Sequence, residues 1–150
     1  MGIGRPRVLI VDDDPAVARA IAIGFGADAI AVTVNSGREA LLQLADGHHF
    51  DLILTDISMP GMTGIELFEH VRIGHPPMAG SVAFMTGGAG GDAMERVESL
   101  GLPLLMKPVD RTALRQLLES RLRPPLVGQA REQANHREDP IRQSQVPERC

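Results

Sequence analysis

The stretch VLIVDDDP, Val8–Pro15, places three aspartates directly after four aliphatic residues. A short branched-aliphatic run of this kind is typical of a strand buried on both faces, as in parallel sheets with helices on either side. Asp14 followed by Pro15 matches the cap and the first residue of a helix. The stretch therefore predicts a buried strand, an acidic turn and the start of a helix.

Similar aliphatic runs recur along the chain, with apolar residues at helical spacing between them. The runs predict five strands, over residues 8–11, 30–34, 52–55, 82–85 and 102–106. Five strands that alternate with five helices predict right-handed crossovers and a parallel sheet covered on both sides, which is an α/β fold.

Each predicted helix has one apolar face, and two helices besides the first have a capping residue in front of them. Ser36 and Asp110 are predicted to cap the second and fifth helices. The predicted faces are Val17, Ala20, Ile21, Gly24 and Phe25; Ala40, Leu41 and Leu44; Leu67, Phe68 and Val71; Ala93, Val97 and Leu100; and Leu114, Leu117, Leu118, Arg121 and Leu122.

Composition excludes several classes of protein. The length of 150 residues suits one ordinary domain, and an aromatic content of 3% predicts an aliphatic core. A net charge of −4 argues against nucleic acid or an anionic membrane as a direct partner. The single cysteine, Cys150, precludes an internal disulfide and agrees with a reducing cytoplasm. Residues 16–34 are mostly apolar, but Arg19 and Asp28 interrupt them, which favours helix, turn and strand over a membrane span.

The character of the sequence changes after Arg123. Residues 1–123 form the predicted domain, whereas residues 124–150 contain four prolines and few aliphatic side chains. Such a segment buries too little apolar surface to offset the cost of ordering, so it is predicted to be a disordered polar tail. The tail is too short for a helix-turn-helix module, so we expect either a stand-alone protein or a domain excised from a longer one.

Side chains that can bind a ligand or take part in a reaction follow four of the predicted strands. Asp12 and Asp13 follow the first strand, Asp56 the third, Thr86 the fourth and Lys107 the fifth. Ligands of parallel α/β sheets bind at this carboxyl edge. Converging carboxylates repel one another, and Mg²⁺ relieves that repulsion. A carboxylate nucleophile, a metal ion, a hydroxyl and an ammonium group are the parts needed to transfer a phosphoryl group to an aspartate.

Each of these residues alone has a plain structural explanation. An acidic turn often caps a helix, Asp56 is also suited to starting a turn, and Lys107 is also explained as a surface lysine. Their common position at one edge of the sheet is what favours a functional site. The four glycines within residues 87–91 do not indicate a nucleotide P-loop, because no Lys-Ser or Lys-Thr follows them.

Four stretches together resemble the signatures of the receiver domain of response regulators in two-component signalling. They lie in order between Arg7 and Leu122 and read VLIVDDDP, DLILTDISMPGMTGIEL, VAFMTGG and LPLLMKPVD. The resemblance implies a doubly wound, flavodoxin-like (βα)5 fold whose five-stranded parallel sheet has the order 2-1-3-4-5.

The resemblance also implies a role for each site residue. Asp56 would accept a phosphoryl group from a phosphohistidine, Thr86 would hydrogen-bond that group, and Lys107 would pair with it. A cis peptide bond before Pro108 would turn the lysine inward. The implied Mg²⁺ ligands are Asp12, Asp13, Asp56 and the backbone carbonyl of Ser58.

Partners and output follow from the same resemblance. The expected partner is a histidine kinase or a histidine phosphotransfer domain, and a second copy of the chain is a candidate for the face formed by the fourth helix, fifth strand and fifth helix. Leu104 stands where receivers usually carry the aromatic switch residue. Together with the glycine-rich loop, it resembles receivers of hybrid sensor histidine kinases more than those of DNA-binding regulators.

Two rival functions remain open at this stage. Asp12 and Asp14 also match the nucleophile pattern of haloacid-dehalogenase-like phosphatases, in which Asp12 would be the nucleophile. Such enzymes normally have a cap domain and a later acidic pair, and neither is evident here. The other rival is a receiver-like binding module that is never phosphorylated, which the complete residue set argues against.

Overall fold

A computed structural model describes residues 4–88 and 90–122, so the predicted tail over 124–150 lies outside the described residues. The strands are β1 (Arg7–Val11), β2 (Ile30–Val34), β3 (Leu52–Asp56), β4 (Val82–Thr86) and β5 (Leu104–Met106). The helices are α1 (Pro15–Phe25), α2 (Gly37–Ala45), α3 (Gly64–Gly74), α4 (Gly91–Leu100) and α5 (Arg111–Leu122). Short 3-10 helices cover Gly26–Asp28 and Pro76–Ser81.

The strands form one parallel sheet in the order β2-β1-β3-β4-β5, which confirms the predicted doubly wound fold. The strand β1 lies between β2 and β3, and its residues Val8–Val11 are fully buried. The order reverses beside β1, so its carboxyl end faces the crevice in which doubly wound sheets bind ligands.

Aliphatic side chains form a core on each face of the sheet. On one face, Val8 and Ile10 of β1 pack with α1 and α5; on the other, Leu9 and Val11 pack with α2, α3 and α4. The few aromatic residues are placed in these layers, and Phe68 meets Phe84 edge-on with 6.2 Å between the ring centroids. The predicted aliphatic core is thus confirmed.

Helix starts agree with the predicted caps. The side chain of Asp14 accepts from the Ala16 backbone N–H and that of Ser36 from the Glu39 N–H, at 3.0 Å each. Asp110 likewise accepts from the Ala113 N–H at 2.7 Å. Each side-chain oxygen satisfies a backbone donor that has no partner within its own helix.

Three predicted details are wrong, one of which is Leu122, predicted on the apolar face of α5 but 43% exposed. The fifth strand begins at Leu104 rather than at residue 102, because Pro103 has no N–H to donate and pairs only through its carbonyl, which accepts from Phe84 N at 2.9 Å. The buried face of α1 includes Ala18, whereas Ala20 is exposed. The helix is rotated because it packs against both the sheet and α5, a constraint that apolar spacing within one helix does not contain.

No helix within residues 4–88 and 90–122 is long and apolar enough to cross a membrane.

The start of α3 lies unusually close to the end of β3. The Gly64 N–H donates to the Ile57 carbonyl at 2.8 Å, and a Cβ atom at Gly64 would collide with the backbone carbonyl oxygen of Asp56. Thr63 and Glu66 form a reciprocal capping box in front of this contact. Glycine is therefore required at position 64 by the close approach of two backbones.

We predict that Gly64→Ala lowers the free energy of unfolding by about 2 kcal/mol, because backbone on both sides must move to admit the methyl group. The measurement is urea unfolding followed by circular dichroism. Gly74→Ala is the matched control, since it lies at the other end of α3 with nothing within 4 Å of the added Cβ. The control should change stability by less than about 1 kcal/mol. Equal stability of the two variants would contradict the close approach.

Candidate acidic site

The sheet brings the predicted site residues to one edge. Asp12 directly follows β1, Asp56 is the last residue of β3, Thr86 is the last residue of β4 and Lys107 directly follows β5. The register pairs Asp56 with Met85 on the neighbouring strand, so that Asp56 lies next to the end of β4. All five strands run parallel, which is why their exits, far apart in sequence, meet in space.

Lys107 connects two buried carboxylates. Its Nζ donates to Asp12 Oδ2 at 2.7 Å and to Asp56 Oδ2 at 2.9 Å. The side chain of Asp12 is 1% exposed and that of Asp56 is 9% exposed. Lys107 is also the single lysine of the 150 residues. Each of these buried acids therefore has a cationic partner, as the burial of charge requires.

The acidic turn after β1 is held by its own side chains. Asp12 Oδ1 accepts from the Asp14 N–H at 2.9 Å, while the Asp14 side chain caps α1. Asp14 is therefore engaged in the helix start. Asp13, between the two, is exposed at the mouth of the site.

Asp56 and Thr86 each accept a hydrogen bond from the loop that follows them. Asp56 Oδ1 accepts from the Ser58 N–H at 3.3 Å, and Thr86 Oγ1 accepts from the Gly88 N–H at 3.0 Å. The Thr86 carbonyl accepts from the Lys107 N–H at 2.8 Å, which fixes the lysine backbone beside β4. The Lys107–Pro108 peptide bond is cis, as the resemblance implies.

Three carboxylates converge closely enough to share one cation. Asp12, Asp13 and Asp56 each place a carboxylate oxygen within 4.8 Å of the others. Hard oxygen ligands with an exposed member that leaves room for water suit Mg²⁺, which keeps several waters when bound to proteins. The residues present therefore fit the predicted metal. Ser58 is exposed beside Asp56, and its predicted role as a carbonyl ligand stays a prediction.

Burial and charge shift the pKa values of the bridged pair. Burial raises the pKa of Asp56, and the hydrogen bond and charge of Lys107 oppose that rise without cancelling it. Burial alone would lower the pKa of Lys107, but its hydrogen bonds to Asp12 and Asp56 outweigh that effect and raise it. Lys107 is thus firmly protonated at neutral pH.

Two contacts were missed by the sequence analysis. The sequence analysis pairs Lys107 only with the anionic group at Asp56. In the structure, the Lys107 ammonium also donates to Asp12, and that hydrogen bond is the shorter of the two. The second is Asn35, whose Nδ2 donates to the Asp12 carbonyl at 3.0 Å. Its signal was a polar side chain directly after β2, at the same carboxyl edge as the acids.

Comparison with known proteins gives consistent matches. A family model of the response regulator receiver domain matches residues 8–119. The response regulator protein PilR of Pseudomonas aeruginosa is 32% identical over 127 residues, which cover 81% of this chain and 27% of PilR. The chain thus spans about a quarter of the length of that curated relative.

Solved structures agree with the family match. The chemotaxis protein CheY4 of Vibrio cholerae superposes with a TM-score of 0.69 at 26% identity, covering 79% of this chain and all (100%) of CheY4. A response regulator receiver protein from Pseudomonas putida superposes with a TM-score of 0.70 at 26% identity, covering 78% of this chain and 98% of that protein. Both cover the domain and leave part of this chain unmatched.

We predict that Lys107→Met raises the pKa of Asp56 further, because it removes the hydrogen bond and charge that oppose the effect of burial. The measurement is the pH dependence of the Asp56 ¹³Cγ chemical shift in Mg²⁺-free solution. Wild type should titrate above the ordinary aspartate range, and the variant should titrate higher still. Arg96→Met is the control, since Arg96 pairs with Glu69 and contacts neither acid. A lower or unchanged Asp56 pKa in Lys107→Met would show that the bridge is absent.

Proposed function

The chain belongs to the response regulator receiver family, whose members are phosphoacceptor modules, and we propose that Asp56 accepts the phosphoryl group, from a phosphohistidine and with Mg²⁺. The observation that carries the proposal is the Lys107 ammonium, which lies 2.9 Å from one oxygen of a buried carboxylate at the carboxyl edge of the sheet. A buried aspartate with a cation at one oxygen is suited to carry a further anionic group.

The proposed transfer is a single displacement at phosphorus. A carboxylate oxygen of Asp56 attacks as the bond from phosphorus to the imidazole nitrogen breaks, and the bonding electron pair returns to that nitrogen. The imidazole, protonated on its other nitrogen, leaves as a neutral group, and an acyl phosphate remains on Asp56. Lys107 would stabilise the charge on the phosphoryl oxygens, and the hydroxyl of Thr86, which lies at the neighbouring strand end, would hydrogen-bond them.

Asp12, Asp13 and Asp56 would hold the Mg²⁺ ion, joined by the Ser58 carbonyl. When bound, the ion supplies positive charge that offsets the phosphoryl oxygens and the carboxylates around them. Asp13 is the exposed acid of the three, so it faces the solvent from which the ion enters.

The α4–β5–α5 face is the proposed site of signal output. Lys107 and Thr86 lie at the ends of β5 and β4, so a new anion at Asp56 acts on the elements that begin there. Leu104, in place of the usual aromatic, is half-buried and packs on the core beneath α3 and α4. Its side chain has no polar group, so output here relies on packing and on the Thr86 and Lys107 contacts.

The partner of the domain and the type of protein that contains it are also proposed. A histidine kinase or a histidine phosphotransfer domain in the cytoplasm is the proposed partner, and a second copy on the α4–β5–α5 face is a further one. The domain would serve as a single-domain regulator or as the receiver of a hybrid histidine kinase. The chain spans about a quarter of PilR, so the proposal is confined to the receiver domain.

The phosphatase alternative fits the geometry less well. The Asp14 side chain, which a phosphatase would need as an acid, caps α1 through the Ala16 N–H. An acid that is engaged in a helix cap does not support that reaction.

We predict that wild type incubated with acetyl phosphate and Mg²⁺ gains one phosphoryl group, measured by intact mass, and that Asp56→Asn gains none. The adduct should be stable to acid and labile to base, as expected of an acyl phosphate in this assay. Asp14→Asn is the matched control, because it removes a neighbouring acid that has no proposed contact with the phosphoryl group.

Three outcomes separate the candidate functions. Labelling that is lost in Asp56→Asn and kept in Asp14→Asn supports the phosphoacceptor. Full labelling of Asp56→Asn with loss of labelling in Asp12→Asn would favour the phosphatase. A wild type that neither labels nor binds beryllofluoride would favour a binding module that is never phosphorylated.

A further inference from the structure

Asn35 contacts the acidic turn after β1, although it is not among the residues proposed to bind the phosphoryl group or the metal ion. It follows β2 directly, at the same carboxyl edge as the acidic turn after β1. Its Nδ2 donates to the backbone carbonyl of Asp12 at 3.0 Å, although the residue itself is exposed. An exposed asparagine is free to point into water, so this orientation toward the acidic turn calls for a physical explanation.

A backbone hydrogen bond beside the Asn35 contact also joins the end of β2 to Asp12. The Asp12 N–H donates to the Val34 carbonyl at 3.2 Å, so the end of β2 engages both the N–H and the carbonyl of Asp12. The Asp12 carbonyl belongs to the planar peptide unit that also contains the Asp13 nitrogen. A bond to that carbonyl therefore fixes the orientation of the link between the two acids.

Asn35 is itself held in place by the start of α2. Its backbone N–H donates to Glu39 Oε1 at 2.9 Å, and the Glu39 N–H donates to Ser36 Oγ at 3.0 Å. These bonds anchor residue 35 to a capped helix end, which limits its freedom. The chain of contacts runs from the cap of α2 through Asn35 to the Asp12–Asp13 peptide.

We propose that Asn35 is a positioning residue, whose side-chain amide orients the Asp12–Asp13 peptide and thereby directs the exposed Asp13 carboxylate toward the shared cation position. The inference rests on the proposed Mg²⁺-dependent function and identifies a residue outside its ligand set. Asn35 makes no contact with the ion. Its effect is to reduce the number of directions that Asp13 samples, so that less order is lost when a cation binds.

The test compares Asn35→Ala with Ser36→Ala. Asn35→Ala removes the amide donor and keeps the backbone N–H that bonds to Glu39. Ser36→Ala removes the α2 cap at the next residue and leaves the Asn35 amide in place, so it controls for loss of helix stability. Mg²⁺ affinity is measured by isothermal titration calorimetry, and the Asp13 amide is followed by ¹⁵N relaxation without metal.

We expect Asn35→Ala to weaken Mg²⁺ binding about tenfold. This is the lower end of the loss in metal affinity that follows removal of a residue supporting a ligand, because water replaces the lost donor on this exposed side. The Asp13 amide should become more mobile in Asn35→Ala alone. Ser36→Ala should keep wild-type affinity and Asp13 order, because Glu39 Oε1 still accepts from the Asn35 backbone N–H.

Other results would overturn the inference. Unchanged Mg²⁺ affinity and Asp13 order in Asn35→Ala, with wild type binding Mg²⁺ normally, would reject the role of Asn35 and leave the proposed function intact. Equal weakening in both variants would assign the effect to α2 stability. Absence of Mg²⁺ binding in wild type would reject both the inference and the metal dependence of the proposed function.

Discussion

The Lys107 ammonium between Asp12 and Asp56 is the interaction on which the rest of the site depends. Two carboxylates buried at the end of a sheet repel each other and lose hydration, and both costs fall when a cation donates to each of them. Without the lysine, the pKa of Asp56 would lie higher still, since burial already raises it. A protonated aspartate is a poor nucleophile. The bridge therefore favours the ionised form of Asp56, the proposed acceptor.

The fold supplies the precision that this bridge needs. Lys107 reaches across the edge from β5, and its backbone is held by the Thr86 carbonyl at the end of β4. From the other side, Gly64 lets α3 approach the Asp56 backbone closely. The proposed acceptor thus lies between two rigid supports, and a shift in either would lengthen its 2.9 Å hydrogen bond to Lys107.

The sequence predicted the elements and the composition of the site more fully than its contacts. The strand positions follow from the aliphatic runs, and the caps follow from the residue types of Asp14, Ser36 and Asp110 in front of the helices. Both are local patterns that need no tertiary information. The rotation of α1, which buries Ala18, depends on packing against α5 and is absent from any local pattern. A proline explains the late start of β5 and was visible in the sequence.

Side-chain pairing within the site was beyond sequence reasoning for a different reason. More than one acid lies at this edge of the sheet, and the register of four strands decides which acids the ammonium group contacts. Spacing along the chain places Lys107 at the edge but does not distinguish Asp12 from Asp56. The same holds for Asn35, whose partner is a backbone carbonyl on a neighbouring strand. Such contacts depend on how far each strand extends at the carboxyl edge of the sheet relative to its neighbours.

Because Lys107 is the single lysine of the chain, its ammonium can be observed without interference. The most direct test is an NMR spectrum of protein labelled with ¹⁵N in lysine and ¹³C in aspartate, without metal and near neutral pH. A slowly exchanging Nζ signal with couplings through hydrogen bonds to the ¹³Cγ atoms of both Asp12 and Asp56 is the predicted result. A rapidly exchanging Nζ signal with no coupling to either carboxylate would contradict the bridge.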